Sequence, residues 1–162
     1  MGNVLHKKLR EIKLPSGVLS SYYQSKSKTE LIDIIEKPIW LDIAGEDHKA
    51  KDTLIPDIVS IQGDSFYIFD AKYYNIKLEP GKDISGQPGI GDITKQYLYQ
   101  LAYKRFCEEH GFAMKKTKNS FLMPTEKGAL PRKIGSVKLD MLSNLGLENI
   151  GVVLLPASIV YD

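Results

Sequence analysis

Leu54-Ile55-Pro56-Asp57-Ile58-Val59-Ser60-Ile61-Gln62, then Gly63-Asp64, then Ser65-Phe66-Tyr67-Ile68-Phe69-Asp70-Ala71-Lys72-Tyr73-Tyr74 is the stretch that decides how this chain folds. Both flanks are rich in β-branched and aromatic residues, the composition of strands. Gly63-Asp64 is a pair suited to a two-residue hairpin turn. With those two residues as the loop, Gln62 faces Ser65 and Ile61 faces Phe66, and Asp57 falls opposite Asp70. Directly opposed side chains share a face with Cβ atoms about 5 Å apart, so two carboxylates there repel. A divalent cation between them removes the conflict, and oxygen ligands of this kind suit Mg²⁺. Lys72 lies two residues beyond Asp70 and therefore on the same face. An ammonium beside a metal site can orient an attacking water and stabilise developing negative charge. Ile58, Tyr67, Phe69 and Tyr73 fall on the opposite face, which reads as the packing side. The bland alternative is two solvated strand acids, one paired with Lys72.

Downstream, residues 75–91 hold Gly81, Gly86, Gly89, Gly91, Pro80 and Pro88, which predicts a long mobile loop. Asp92 or Thr94 then caps a helix to about Glu109, with Gly111 as its stop. Leu98, Leu101, Ala102 and Phe106 form its expected buried stripe. Tyr99 and Tyr103 read as core edge, Gln100 as polar surface and Cys107 as a packed thiol. Strands are expected at 120–123, 134–139 and 150–155, with 159–161 as a separate edge piece. Upstream, Asn3 to Lys13 has helical spacing, Thr29 to Glu36 is a short helix or strand, and Ile39 to Ile43 is a strand begun by Trp40. Gly45 to Asp52 reads as a charged loop. Strands on both sides of one long helix predict an α/β (α+β) domain with a mixed central sheet flanked by helices.

Length and charge bound the function. The 162 residues suit one domain, and no apolar run approaches a membrane span. The N-terminus lacks the apolar core of a signal peptide, so the expected location is cytoplasmic. One cysteine, Cys107, excludes an internal disulfide, and with His6, His48 and His110 unclustered a zinc site is not expected. The net charge of +2 conceals a pattern. Residues 1–28 have six basic and one acidic side chain, and residues 29–112 have nine basic and fifteen acidic. Residues 113–138 have seven basic and one acidic, and the remainder has three acids and no base. An acidic middle between basic flanks suits a metal ion beside a polyanion. Lys115, Lys116, Lys118, Lys127, Arg132 and Lys133 are candidate phosphate contacts or solvated loop residues.

Pro56-Asp57 followed by Asp70-Ala71-Lys72 resembles the motif of the PD-(D/E)xK nuclease superfamily. Between Pro38 and Phe106 the chain more specifically resembles the LlaJI family of restriction endonucleases, which are similar to the nuclease subunit of McrBC systems. The residues that carry this are Glu36-Lys37-Pro38-Ile39-Trp40, Thr53 to Ile58, Phe69 to Tyr74, Pro88-Gly89 and Asp92-Ile93-Thr94-Lys95-Gln96. The resemblance implies a restriction-endonuclease-like fold and Mg²⁺-dependent cleavage of double-stranded DNA, with Mn²⁺ as a substitute. Asp57, Asp70 and the carbonyl of Ala71 would hold the metal, and Lys72 would orient or activate the water. Gln96 would position that water or the phosphate. The products would carry a 5′-phosphate and a 3′-hydroxyl.

The resemblance also implies a McrB-like AAA+ GTPase partner. No G-x-x-x-x-G-K-S/T occurs in the chain, so that NTPase would be a separate polypeptide. Cutting two strands would favour dimerisation. Family members often carry an acid on a helix before the first strand. Here Glu11 is the candidate, with Glu30 and Glu36 as weaker ones. Residues 1–162 are therefore read as a single nuclease domain and as a fragment of a longer subunit. The rival readings are a repair or recombination nuclease of the same superfamily, and a non-catalytic adaptor that binds a motor subunit or DNA.

Overall fold

The computed structural model describes residues 31–112 and 116–161. The Asn3–Lys13 segment, Glu11, Glu30, His6 and Lys115 lie outside the described residues. A short 3₁₀ turn at Leu31–Ile34 leads to a two-stranded ribbon, β1 (Ile39–Leu41) and β2 (Asp47–Lys49). Next come β3 (Ile58–Gln62) and β4 (Ser65–Ala71), the helix α1 (Ile90–Glu109), β5 (Thr117–Thr125) and β6 (Arg132–Val137). A 3₁₀ segment at Asp140–Leu145 precedes β7 (Ile150–Pro156), and the short helix α2 (Ala157–Tyr161) closes the chain. The sequence had placed an edge strand at 159–161. The chain there instead turns helical, and Pro156 is the last residue paired in β7.

The sheet order is β3-β4-β5-β7-β6. β3 runs antiparallel to β4, β4, β5 and β7 are mutually parallel, and β6 runs antiparallel to β7. This is the mixed α+β sheet that strands on both sides of one helix require: α1 is the crossover between the parallel strands β4 and β5. The hairpin register is the predicted one, Gln62 with Ser65 through Ile58 with Phe69. Gly63 takes φ +59, the positive value that a two-residue turn needs.

The packing face of β4 is the reverse of the expected one. Phe66 and Ile68 are fully buried under α1 and Asp70 shares their side, whereas Tyr67 and Phe69 are only half-buried. Tyr73 is exposed. The alternation of the strand was right; its inner side was not, because three aromatics on one face outweighed a face ending in a carboxylate.

The α1 stripe also differs. The buried positions are Gln96, Tyr97, Tyr99, Gln100, Tyr103, Phe106 and Cys107, while Leu98 is exposed and Leu101 and Ala102 are half-buried. The buried amide of Gln100 and hydroxyl of Tyr103 are matched. Gln100 Oε1 accepts from the Glu148 amide at 2.7 Å and its Nε2 donates to the Glu148 carbonyl at 3.3 Å. The Tyr103 hydroxyl donates to the Leu31 carbonyl at 2.8 Å. Hydrogen bonds of this kind make buried amides tolerable, because an unpaired buried polar group carries its full desolvation cost. Phe66, Ile68, Val59, Leu31, Tyr99, Tyr103, Phe106 and Cys107 share one apolar cluster. Tyr97 joins Phe121, Met123, Ile150, Val152 and Leu154 in a second. Burial pushes the Cys107 thiol up to about 12, against a hydrogen bond from Thr117.

Gly89, not Asp92 or Thr94, is the N-cap of α1. The loop before it folds back on itself through a bridge between Lys77 and Ser85. Gly86, at φ +64, is a close approach: a Cβ there would lie 2.2 Å from the Asn75 carbonyl oxygen. Trp40 and its neighbours Ile39, Leu41 and Ile43 are exposed on the ribbon. His48 is exposed and hydrogen-bonds Asp42. Among the described residues, no helix is long and apolar enough to cross a membrane.

Candidate active site

Asp57 sits one residue before β3, where the ladder with β4 has ended. Its carboxylate takes over the acceptor role there: Oδ2 accepts from the Ala71 amide at 2.8 Å. The preceding segment is tied to the helix, since the Tyr99 hydroxyl donates to the Ile55 carbonyl at 2.8 Å. Asp70 is 3% exposed and ends the core face of β4. Lys72 follows the strand with its amide on the Leu122 carbonyl at 2.9 Å, which fixes its backbone against β5.

Lys72 meets carboxylates from two elements. Lys72 Nζ lies 2.7 Å from Asp70 Oδ2 and 2.9 Å from Asp92 Oδ1. The Tyr74 hydroxyl donates to Asp92 Oδ2 at 2.9 Å. Burial raises the Asp70 carboxyl above its ordinary value; Lys72 opposes this, and the charge and hydrogen bond of Asp57 add to it. For Asp92 burial works upward, but the hydrogen bonds from Lys72 and Tyr74 outweigh it and hold the carboxyl below its usual range. Burial pulls the Lys72 ammonium down, and the hydrogen bonds to Asp70 and Asp92 more than reverse that. Asp92 lies in the first turn of α1, where the helix dipole favours an anion.

The donor set fits a hard divalent cation. Asp57 and Asp70 are neighbouring acids, Asp70 buried and paired with Lys72, and carboxylate oxygens of this kind suit a hard cation. Among the described residues no three His, Cys, Asp or Glu side chains converge as a metal cluster. Two carboxylates plus a backbone carbonyl, such as that of Ala71, remain. Mg²⁺ is commonly held by one or two carboxylates, with waters and phosphate oxygens completing its shell.

Gln96, expected to position the water or the phosphate, lies inside the fold. It is fully buried, with Nε2 donating to Asn119 Oδ1 at 2.6 Å, while Asn119 Nδ2 returns a bond to the Gln96 carbonyl at 3.1 Å. The pair braces α1 against β5. Gln96 Oε1 has no hydrogen-bond partner among the described residues. Glu36 is exposed and lines a groove with Leu98, Leu101 and Arg105. The basic residues separate by position. Lys116 pairs with Asp64 at the hairpin turn, at the other end of β4 from Asp70. Lys127 and Arg132 line a groove of about 870 Å³ with Tyr73, Tyr74 and Lys77, at the end of the sheet where Lys72 sits. Lys118 and Lys133 are exposed on β5 and β6. Sequence reasoning missed Asn119 and the pairing role of Asp92. Their signals were a lone amide in a strand and an acid in the first turn of a helix.

A match to the LlaJI restriction endonuclease family spans residues 21–159. The chain is also 36% identical over 140 residues to the type II restriction enzyme BsuMI component YdjA of Bacillus subtilis (strain 168). That alignment covers 82% of this chain and 28% of the relative, so the chain spans less than a third of the relative's length. No solved structure matches. The family match covers nearly all of the described residues, including the hairpin, α1 and the rest of the sheet, and the chain belongs to the LlaJI restriction endonuclease family.

Proposed function

We propose that this chain is the catalytic core of a PD-(D/E)xK restriction endonuclease that cleaves double-stranded DNA with Mg²⁺. The observation that carries the reading is the convergence of Asp57, Asp70 and Lys72 at the end of β4. Asp57 and Asp70, with the Ala71 carbonyl, would hold the ion, which supplies positive charge to the scissile phosphate when bound. Lys72 donates to the attacking water and holds it in line, and its ammonium offsets charge developing on the phosphate oxygens. The buried brace between Gln96 and Asn119 holds the first turns of α1 at the site. Lys127, Arg132 and Lys77 offer cationic partners for the DNA backbone beside it.

The relative's name describes a component, which supports an assembly of several subunits. In the proposed system a separate McrB-like AAA+ GTPase drives cleavage, and two copies of the nuclease act on the two strands. The test is plasmid cleavage by wild type and Lys72→Ala, with the motor subunit and Mg²⁺ present. Linear product from wild type and none from the variant is the expected result. Equal cutting by both overturns the mechanism. No cutting by either, with tight partner binding, supports a non-catalytic adaptor instead.

A further inference from the structure

We infer that Asp92, backed by Tyr74, is a positioning residue that sets where the Lys72 ammonium stands, so that the site is complete only when α1 is docked on the hairpin. The inference rests on the proposed role of Lys72 and goes beyond it by assigning an anchor from another element. Three observations carry it. Lys72 Nζ is bracketed by two carboxylates from different elements, Asp70 of β4 at 2.7 Å and Asp92 of α1 at 2.9 Å. The second oxygen of Asp92 is in turn held by the Tyr74 hydroxyl at 2.9 Å. All three charged side chains are mostly sheltered, at 17%, 5% and 25% exposure for Lys72, Asp70 and Asp92.

A lysine with one anchor swings on four rotatable bonds; two anchors at an angle fix the ammonium as a point. Asp70 alone would draw Nζ toward the carboxylate pair, the place assigned to the cation. Asp92 holds it from the start of α1, with the Tyr74 hydroxyl on its other oxygen. Asp92 thus leaves Asp70 an oxygen face for metal while keeping the ammonium in reach of the water. The charged and polar groups facing Lys72 are Asp70, Asp92 and, through Asp92, Tyr74, with Lys95 acting on Asp92 from the next turn.

The experiment uses the assembled restriction complex for kinetics and the full chain, labelled with ¹⁵N-lysine, for spectroscopy. In the wild type one lysine ammonium resonance is slowed in exchange, and Lys72→Ala removes it. Asp92→Asn is expected to broaden or lose that resonance, to lower kcat about 10-fold as losses of outer-shell partners do, and to leave KM for DNA unchanged. Asp92→Glu restores the resonance and most of kcat, and Tyr74→Phe gives a smaller loss of the same kind. An Asp92→Asn complex with wild-type kcat, or with an unaltered Lys72 resonance, overturns the inference. So does a loss confined to KM. If Asp92→Asn fails to fold, Tyr74→Phe and Asp92→Glu give the same decision through the resonance. If Lys72→Ala itself cuts like wild type, the proposed role of Lys72 fails; if Lys72→Ala is dead while Asp92→Asn is fully active, only the positioning role fails.

Discussion

The two β-ribbons of this protein invert each other. In β3–β4 the inner face runs Phe66, Ile68, Asp70, so a carboxylate completes a row of buried apolar side chains. In β1–β2 the apolar residues Ile39, Trp40 and Leu41 are 59%, 70% and 71% exposed. Each departs from the rule that apolar groups go in and charges stay out. The departures differ in cost. A buried carboxylate beside a second acid opposes folding unless something neutralises it, whereas an exposed tryptophan forgoes stabilisation without adding a penalty of that kind. The first is tied in by hydrogen bonds from Ala71 to Asp57 and from Lys72 to Asp70. The second is a surface feature, closed on itself by one more rung in which the Ala50 amide donates to the Pro38 carbonyl at 2.8 Å.

The sharpest way to break the comparison is at Asp70. Asp70→Asn is expected to lower Mg²⁺-dependent cleavage at least about 100-fold, the upper range for disturbed metal sites. Its effect on stability carries the opposite sign. The native carboxyl of Asp70 titrates above the ordinary 3.8, so the folded state holds that proton more tightly than the unfolded one. The acid's contribution to stability is therefore lost as pH rises from 3.8 through the raised value. Urea melts should show the variant gaining on wild type across that window, with Mg²⁺ reversing the gain. A variant that loses ground instead would mean that Lys72 already neutralises the pair.

A smaller effect is expected at the α1 brace. Gln96→Met keeps the volume but leaves Asn119 without its donor, at a cost of about 1–3 kcal/mol in chemical denaturation. Cleavage per folded molecule should fall far less than in Asp70→Asn. An equal fall would return Gln96 to the phosphate. Smallest of all is Trp40→Ser, expected within about 0.5 kcal/mol of wild type, as for exposed positions elsewhere. A larger loss would show that the ribbon is packed, and the contrast between the two ribbons would vanish.

What could be read beforehand follows the same physics. The hairpin register was legible because a two-residue turn fixes every later pair; Asp57 lies one residue past the ladder and reaches the Ala71 amide through its side chain. The inner face of β4 was not legible from the strand alone. Tyr67, Phe69 and Tyr73 look apolar in a row, yet the side that α1 covers is settled by a helix eighteen or more residues away. The α1 stripe failed for a related reason. Counting only aliphatic residues picks Leu98 and Leu101, whereas Gln96, Tyr99, Gln100, Tyr103 and Phe106 follow helical spacing as well. Gln96 Nε2 and the polar ends of Tyr99, Gln100 and Tyr103 are matched by Asn119, Ile55, Glu148 and Leu31, partners that sequence does not reveal. The short β2, Asp47–Lys49, was read as loop because nothing in Asp-His-Lys favours a strand.

Cys107 gives the molecule a built-in chemical clock. It is the single thiol, fully enclosed between α1 and the sheet, and its acidity is suppressed by that enclosure. Only thiolate reacts quickly with alkylating reagents, so modification waits until the helix lifts. The rate of modification at a fixed pH and excess reagent therefore counts how often the C-terminal end of α1 opens from the sheet. Because Asp92 rides on the same helix as Cys107 while Lys72 stays with β4, an opening that lifts the whole helix also parts Asp92 from Lys72.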